Sequence, residues 1–179
     1  MKNKWSRLIV GFVSLFAVVP MVHSQAAYTA ERKTRIQAGV GALGLNPDYT
    51  TGSVIGLSAW ADYDFAKHLG VEVSTHFQEF ITPGDIAENS YLLGPRFIYR
   101  RKGLTAYAKA LVGRATITNL NYSLSSSYNV YAFGGGLEYR IARKFNLRVI
   151  DFEQQEWPDF QPHTLAPAAA TFGLSYIIH

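Results

Sequence analysis

From Ala168 to His179 the side chains fall into two rows. Ala168, Ala170, Phe172, Leu174, Tyr176 and Ile178 make an apolar row, and Ala169, Thr171, Gly173, Ser175, Ile177 and His179 make a smaller, more polar one. Successive side chains on a strand point to opposite faces, so this stretch reads as a strand with one greasy side. A soluble sheet turns such a side inward to a core, whereas a transmembrane barrel turns it outward to lipid and keeps the polar row in its lumen. The two readings have opposite topology, and the rest of the chain decides between them.

The same period of two recurs upstream, with no competing helical period. Arg35 to Leu45, Val54 to Phe65, Leu69 to Phe80, Asn89 to Arg100, Leu104 to Arg114, Val130 to Arg140 and Phe145 to Gln154 each alternate. In the last of these, Asp151 and Glu153 land on the greasy side: either a β-bulge near Ile150 restores the register, or these acids have left the hydrocarbon zone. With the terminal strand this predicts an all-β fold, an eight-stranded antiparallel up-and-down transmembrane β-barrel over residues 34–179. Strands of about 11 residues suffice to cross a bilayer at a barrel's tilt. Short connections at 66–68, 101–103 and 141–144 alternate with longer ones at 46–53, 81–88, 115–129 and 155–165. That asymmetry predicts short periplasmic turns, long outer loops and both termini in the periplasm. Tyr63, Tyr99, Tyr139 and Tyr176 each precede a short turn or the terminus, as a periplasmic aromatic girdle requires.

The inward row decides the topology. It carries a lumenal charge network of Asp62, Glu72, Arg96, Lys109, Glu138 and Arg148 amid glycine and serine. A soluble barrel would have to bury that row and leave Tyr, Leu, Val and Phe outside. Trp60 and Tyr107 also point inward. An eight-stranded interior is only wide enough for side chains to fill, so these groups predict a plugged lumen. Glu138→Gln is then expected to strand a buried cation, at a cost of about 3–5 kcal/mol.

Composition narrows the remaining classes. Lys2, Lys4 and Arg7 precede the apolar run Leu8 to Val19 and the small residues Ser24, Ala26 and Ala27, which reads as a cleaved signal peptide over 1–26, followed by a short periplasmic segment over 27–33. The leader holds three of the 17 Lys and Arg and none of the 13 Asp and Glu, so 14 face 13 in the remainder and no basic surface for nucleic acid is expected. With no Cys, neither disulfides nor thiolate metal sites are available. His68, His76, His163 and His179 lack ligand spacing, and Gly134-Gly135-Gly136 lacks the Lys of a phosphate loop, so neither metal nor cofactor is expected.

The leader, the amphipathic strands and the aromatic C-terminal strand together resemble the small outer-membrane barrels of the OmpA/OmpX-like superfamily. The stretches Phe65 to Glu72, Leu93 to Phe97 and Gly134 to Tyr139 look like its recurring strand phrases. The resemblance implies residence in the outer membrane of a Gram-negative-type cell, contact with outer-membrane lipid and lipopolysaccharide, and insertion by the barrel-assembly machinery. The terminal signal in such proteins usually ends in an aromatic residue, whereas this chain ends in Ile178-His179. A structural or adhesive role through the outer loops is the function expected, with no catalytic residues. Trp157 and Phe160 are the exposed outer-loop candidates for contact with an extracellular ligand whose identity is not written in the sequence. Two alternatives use other residues or the same ones differently. Barrels resembling this one include lipid A deacylases and acyltransferases, for which Glu153, Glu156 and His163 are the candidates, but the deacylases' His-x-Ser pattern is missing because Thr164 and Leu165 follow His163. A small gated pore would use the lumenal charges.

Overall fold

A computed structural model describes residues 34–48, 52–78, 86–119, 124–160 and 164–178. The leader, the 27–33 segment, His163 and His179 lie outside the described residues. The strands are β1 (Arg35–Asn46), β2 (Val54–Asp64), β3 (Leu69–Phe77), β4 (Ile86–Arg101), β5 (Leu104–Asn119), β6 (Leu124–Arg140), β7 (Phe145–Glu156) and β8 (Ala168–Ile177). They form a closed barrel in which each strand pairs antiparallel with its sequence neighbour and β8 returns to β1. The seam runs from Gln37 opposite Ile177 to Asn46 opposite Ala168, leaving no sheet edge along it.

The alternation sets the faces. Val40 is 66% exposed, Phe133 59% and Phe97 57%, all on the outer surface, while Arg96 and Arg148 inside are each 1% exposed. A greasy exterior around a charged interior is the inverse of a soluble barrel and fits a lipid surround. On β7 the register shifts between Arg148 and Asp151, so Val149 and Ile150 both face outward. This is the bulge, one of the two alternatives open from the sequence, and it carries Asp151 and Glu153 into the lumen.

Strand ends differ from the sequence reading at the long-loop end. The stretch Thr116 to Asn129, taken above as a loop, is largely a continuation of β5 and β6. Thr116 pairs with Ser127 and Thr118 with Ser125, their hydroxyl oxygens 3.1 and 3.3 Å apart. Serine-rich composition suggested a coil, but cross-strand hydroxyl pairs also stabilise a ladder, and here they do. β4 likewise begins at Ile86 rather than Asn89.

Two small residues of β1 permit the seam and the packing inside it. A Cβ on Gly41 would run into the Phe172 carbonyl oxygen and the Gly173 Cα of β8. One on Gly39 would meet the indole ring of Trp60, which also lies over Gly173. Gly41→Val is therefore expected to destabilise the closed barrel by about 1–3 kcal/mol through overpacking against backbone that cannot yield. The fraction migrating as the compact species on an unheated gel should fall, whereas Gly52→Ala, where nothing stands within 4 Å of the new Cβ, should leave it unchanged.

Candidate functional site in the barrel lumen

The lumen is built in layers. Its middle holds charged residues contributed by successive strands, each placed inward by the period of two. Asp62 comes from β2, Glu72 from β3, Arg96 from β4, Lys109 from β5, Glu138 from β6, and Arg148, Asp151 and Glu153 from β7. Arg148 sits at the centre. Its Nη2 lies 3.1 Å from both Glu72 Oε2 and Glu138 Oε1 and 3.2 Å from Asp62 Oδ2, and its Nη1 lies 2.7 Å from Asp151 Oδ2. Lys109 Nζ stands 2.9 Å from Glu72 Oε1, 2.8 Å from Asp151 Oδ2 and 3.0 Å from Glu153 Oε2. Arg96 contacts Asp62 and places Nη2 2.8 Å from Glu138 Oε1. All six charged residues singled out from the sequence thus lie in one connected cluster.

Two aromatic rings hold the guanidinium groups in place. Arg148 stacks 4.0 Å from the Trp60 ring centroid and 5.1 Å from that of Tyr107, and Arg96 lies 3.9 Å from the Tyr107 ring centroid. Arg is suited to this because its planar head stacks on a ring while its edge donates to carboxylates.

Sequence reasoning left out part of the cluster. Asp151 and Glu153 enter it through the bulge. Gln37 Nε2 donates to Asp62 Oδ2 at 2.6 Å and Glu138 Oε2 at 3.0 Å, and Gln37 Oε1 accepts from Asn146 Nδ2 at 2.7 Å. The signal for Gln37 was its inward parity in β1, but a neutral amide carries no charge label to distinguish it from filler. Five carboxyl groups, of Asp62, Glu72, Glu138, Asp151 and Glu153, therefore surround three cations, and neutral amide donors supplement them.

Toward the long-loop end the lumen holds an apolar cluster beside the buried His76, Gln78, Glu88 and Ser90. Leu92, Leu111, Ala115, Val130, Ala132, Trp157 and Leu165 form a buried cluster against which Ile117, Tyr128 and Phe160 pack. Trp157 is consequently 0% exposed, which corrects its assignment as an outward contact. Its backbone bridges to Leu165, turning the ring into the barrel mouth, where Nε1 donates to Gln155 Oε1 at 2.9 Å. Phe160 is only half-buried, its ring centroid 5.2 Å from that of Tyr128. Tyr63, Tyr99, Tyr139 and Tyr176 are all exposed on the outer wall toward the short-turn end. Of the residues considered for lipid chemistry, Glu153 is buried against Lys109 and Glu156 is exposed, and His163 lies outside the described residues.

A closed antiparallel barrel with an apolar wall and an ion-paired interior defines a transmembrane barrel of the outer-membrane type. Residues 14–177 match the model of the outer membrane protein beta-barrel domain, and the chain belongs to that family. Membership places it in the outer membrane of a Gram-negative-type bacterium. Among solved structures it is similar to the N-terminal β-barrel domain of Pseudomonas aeruginosa OprF, with 14% identity, a TM-score of 0.55, and 79% of this chain and 97% of that one covered. Neisserial surface protein A gives 15% identity and a TM-score of 0.55 over 81% of this chain and 97% of that one. Pseudomonas aeruginosa OprG gives 14% and 0.55 over 81% and 96%. At these identities the likeness is one of fold. No curated protein matches the chain by sequence.

The charge balance ranks the consequences of substitution. Lys109→Met leaves Glu153 with no lysine or arginine partner, while Glu72 and Asp151 keep Arg148, and is expected to destabilise the barrel by about 3–5 kcal/mol. Glu138→Gln should cost less, about 1–3 kcal/mol, because Arg148 keeps Asp62, Glu72 and Asp151 and Arg96 keeps Asp62. This lowers the figure that parity alone suggested. Urea unfolding of both variants in lipid vesicles checks the order, and equal midpoints would contradict it.

Proposed function

We infer that the protein is a non-conducting outer-membrane barrel with a structural and adhesive role, short turns in the periplasm and long connections at the cell surface. The observation that supports this reading above others is the connected cluster around Arg148 and Lys109. Opposite charges at one depth in a low-dielectric interior attract each other more strongly than they attract passing ions. Trp60 and Tyr107 occupy space between them, and the buried layer of Leu92, Leu111 and Trp157 adds an apolar barrier toward the outer mouth.

The surface available for contact is the β5–β6 hairpin rather than the 155–165 connection. That connection is fastened: the Trp157 amide donates to Leu165 O at 2.9 Å, Asn129 Nδ2 donates to Asp159 Oδ2 at 2.6 Å, and the Ala166 amide donates to Asp48 Oδ2 at 3.2 Å. β6 of that hairpin begins with exposed residues, Leu124 at 69% exposure followed by Ser125, Ser126 and Ser127. In this reading lipopolysaccharide surrounds the outer half of the wall, and the barrel-assembly machinery inserts the chain.

Planar-bilayer recording of the purified protein should show no steady conductance, and a large stable current would overturn the plugged lumen. Shortening the hairpin between Thr116 and Asn129 should lower adhesion of expressing cells while leaving the barrel folded. Unchanged adhesion would remove the adhesive role, and altered lipid A masses in expressing cells would favour an enzyme.

A further inference from the structure

The short-turn end carries a surface that the barrel's fold does not require. Lys67, Arg101, Lys102, Arg140, Arg143 and Lys144 are all exposed there. Among the described residues of that end no Asp or Glu is exposed, since Asp64 is buried against Arg100. Five of the six cations lie on the β4–β5 and β6–β7 connections and the strand ends beside them, and the fold brings these together: the Arg140 amide donates to Gly103 O at 2.9 Å. The first of the two is a tight turn, with φ of 47° at Lys102 and 85° at Gly103, so its cations are fixed at the tip of a hairpin. The opposite end shows the reverse balance, with Asp48, Glu156 and Asp159 exposed beside Arg114.

Like charges gathered on one surface repel, and a solubilising surface would mix the signs. Their depth suggests what offsets the repulsion. Tyr99 lies two residues before Arg101, Tyr139 directly before Arg140, and Lys144 Nζ stands 5.6 Å over the ring of Tyr176. Exposed tyrosines at one level mark the zone where hydrocarbon gives way to headgroups. Cations one step beyond that level sit at the depth of lipid phosphates.

We propose that this patch is a binding site for anionic phospholipid headgroups, which recruits lipids such as phosphatidylglycerol to the short-turn side of the barrel. Guanidinium groups of Arg101, Arg140 and Arg143 donate to phosphodiester oxygens, Lys102 and Lys144 add positive charge, and the neighbouring aromatic belt packs against the upper acyl chains. The contact requires no adhesive activity and stands or falls separately from it.

Electron spin resonance on the full chain in phosphatidylcholine bilayers tests the site, using trace spin-labelled phosphatidylglycerol or phosphatidylcholine. The motionally restricted fraction should favour the phosphatidylglycerol label by about fivefold at low salt, the effect of roughly one well-placed cation. The preference should shrink toward equality in molar salt. Combined Arg101→Gln, Lys102→Gln, Arg143→Gln and Lys144→Gln, which leaves Arg140 and Lys67 in place, should lower it strongly, while Arg114→Gln at the other end should leave it intact. Should the combined variant fail to fold, the separate pairs Arg101→Gln with Lys102→Gln and Arg143→Gln with Lys144→Gln should each lower it. Equal restriction of the two labels in the unmodified protein would overturn the proposal, as would a preference undiminished in the folded charge variants or one that disappears with Arg114→Gln.

Discussion

Hydrocarbon offers no hydrogen bonds, and each backbone N–H or C=O left unpaired in it costs several kcal/mol. A sheet in such a medium must have no free edge, so β1 must meet β8 and the chain must supply exactly enough strands to curl back on itself. Eight strands close into a ring whose interior admits side chains and little else. The wall then becomes apolar because lipid is its solvent. Polar side chains have one place left, the lumen, where they must satisfy each other.

That last condition explains why the interior is one cluster rather than a set of separate pairs. Arg148 reaches carboxyl groups from β2, β3, β6 and its own strand, and Lys109 reaches β3 and β7. Buried ion pairs are not in themselves a large source of stability, since desolvation offsets most of the attraction. Their removal one partner at a time is costly, and that difference makes the cluster a specification of strand order and register. Trp60 and Tyr107 contribute dispersion and cation–π contact, and Gly39 and Gly173 leave the room that Trp60 occupies.

Most of the architecture was legible because one rule, alternation with period two, was repeated along the chain with few interruptions. The irregularity of β7 was legible as a choice between a bulge and an exit from the hydrocarbon zone, and the buried Asp151 and Glu153 decide for the bulge. Two features escaped for different reasons. The Thr116 to Asn129 stretch has the composition of a loop and the pairing of a hairpin, because beyond the membrane polar faces need no greasy side to hold a strand. Trp157 sits where a loop residue was expected to face water, but its bridge to Leu165 folds it back over Leu92 and Leu111. Such long-range return of a connection leaves no periodic trace. Six of the cluster's charged members were visible by parity, Asp151 and Glu153 join it only through the bulge, and Gln37 and Asn146 were visible only as inward positions.

The lumenal contacts join residues remote in the chain: Gln37 to Asn146 across 109 positions, Gln37 to Glu138 across 101, and Arg148 to Asp62 across 86. None can form within a single hairpin, because each joins strands that are not neighbours in the chain. They arise at closure. Interactions that appear only after the rate-limiting assembly leave the rate of insertion unaltered and slow its reversal. These three contacts act as a latch on the closed ring, tying β1 and β2 to β6 and β7 across the lumen.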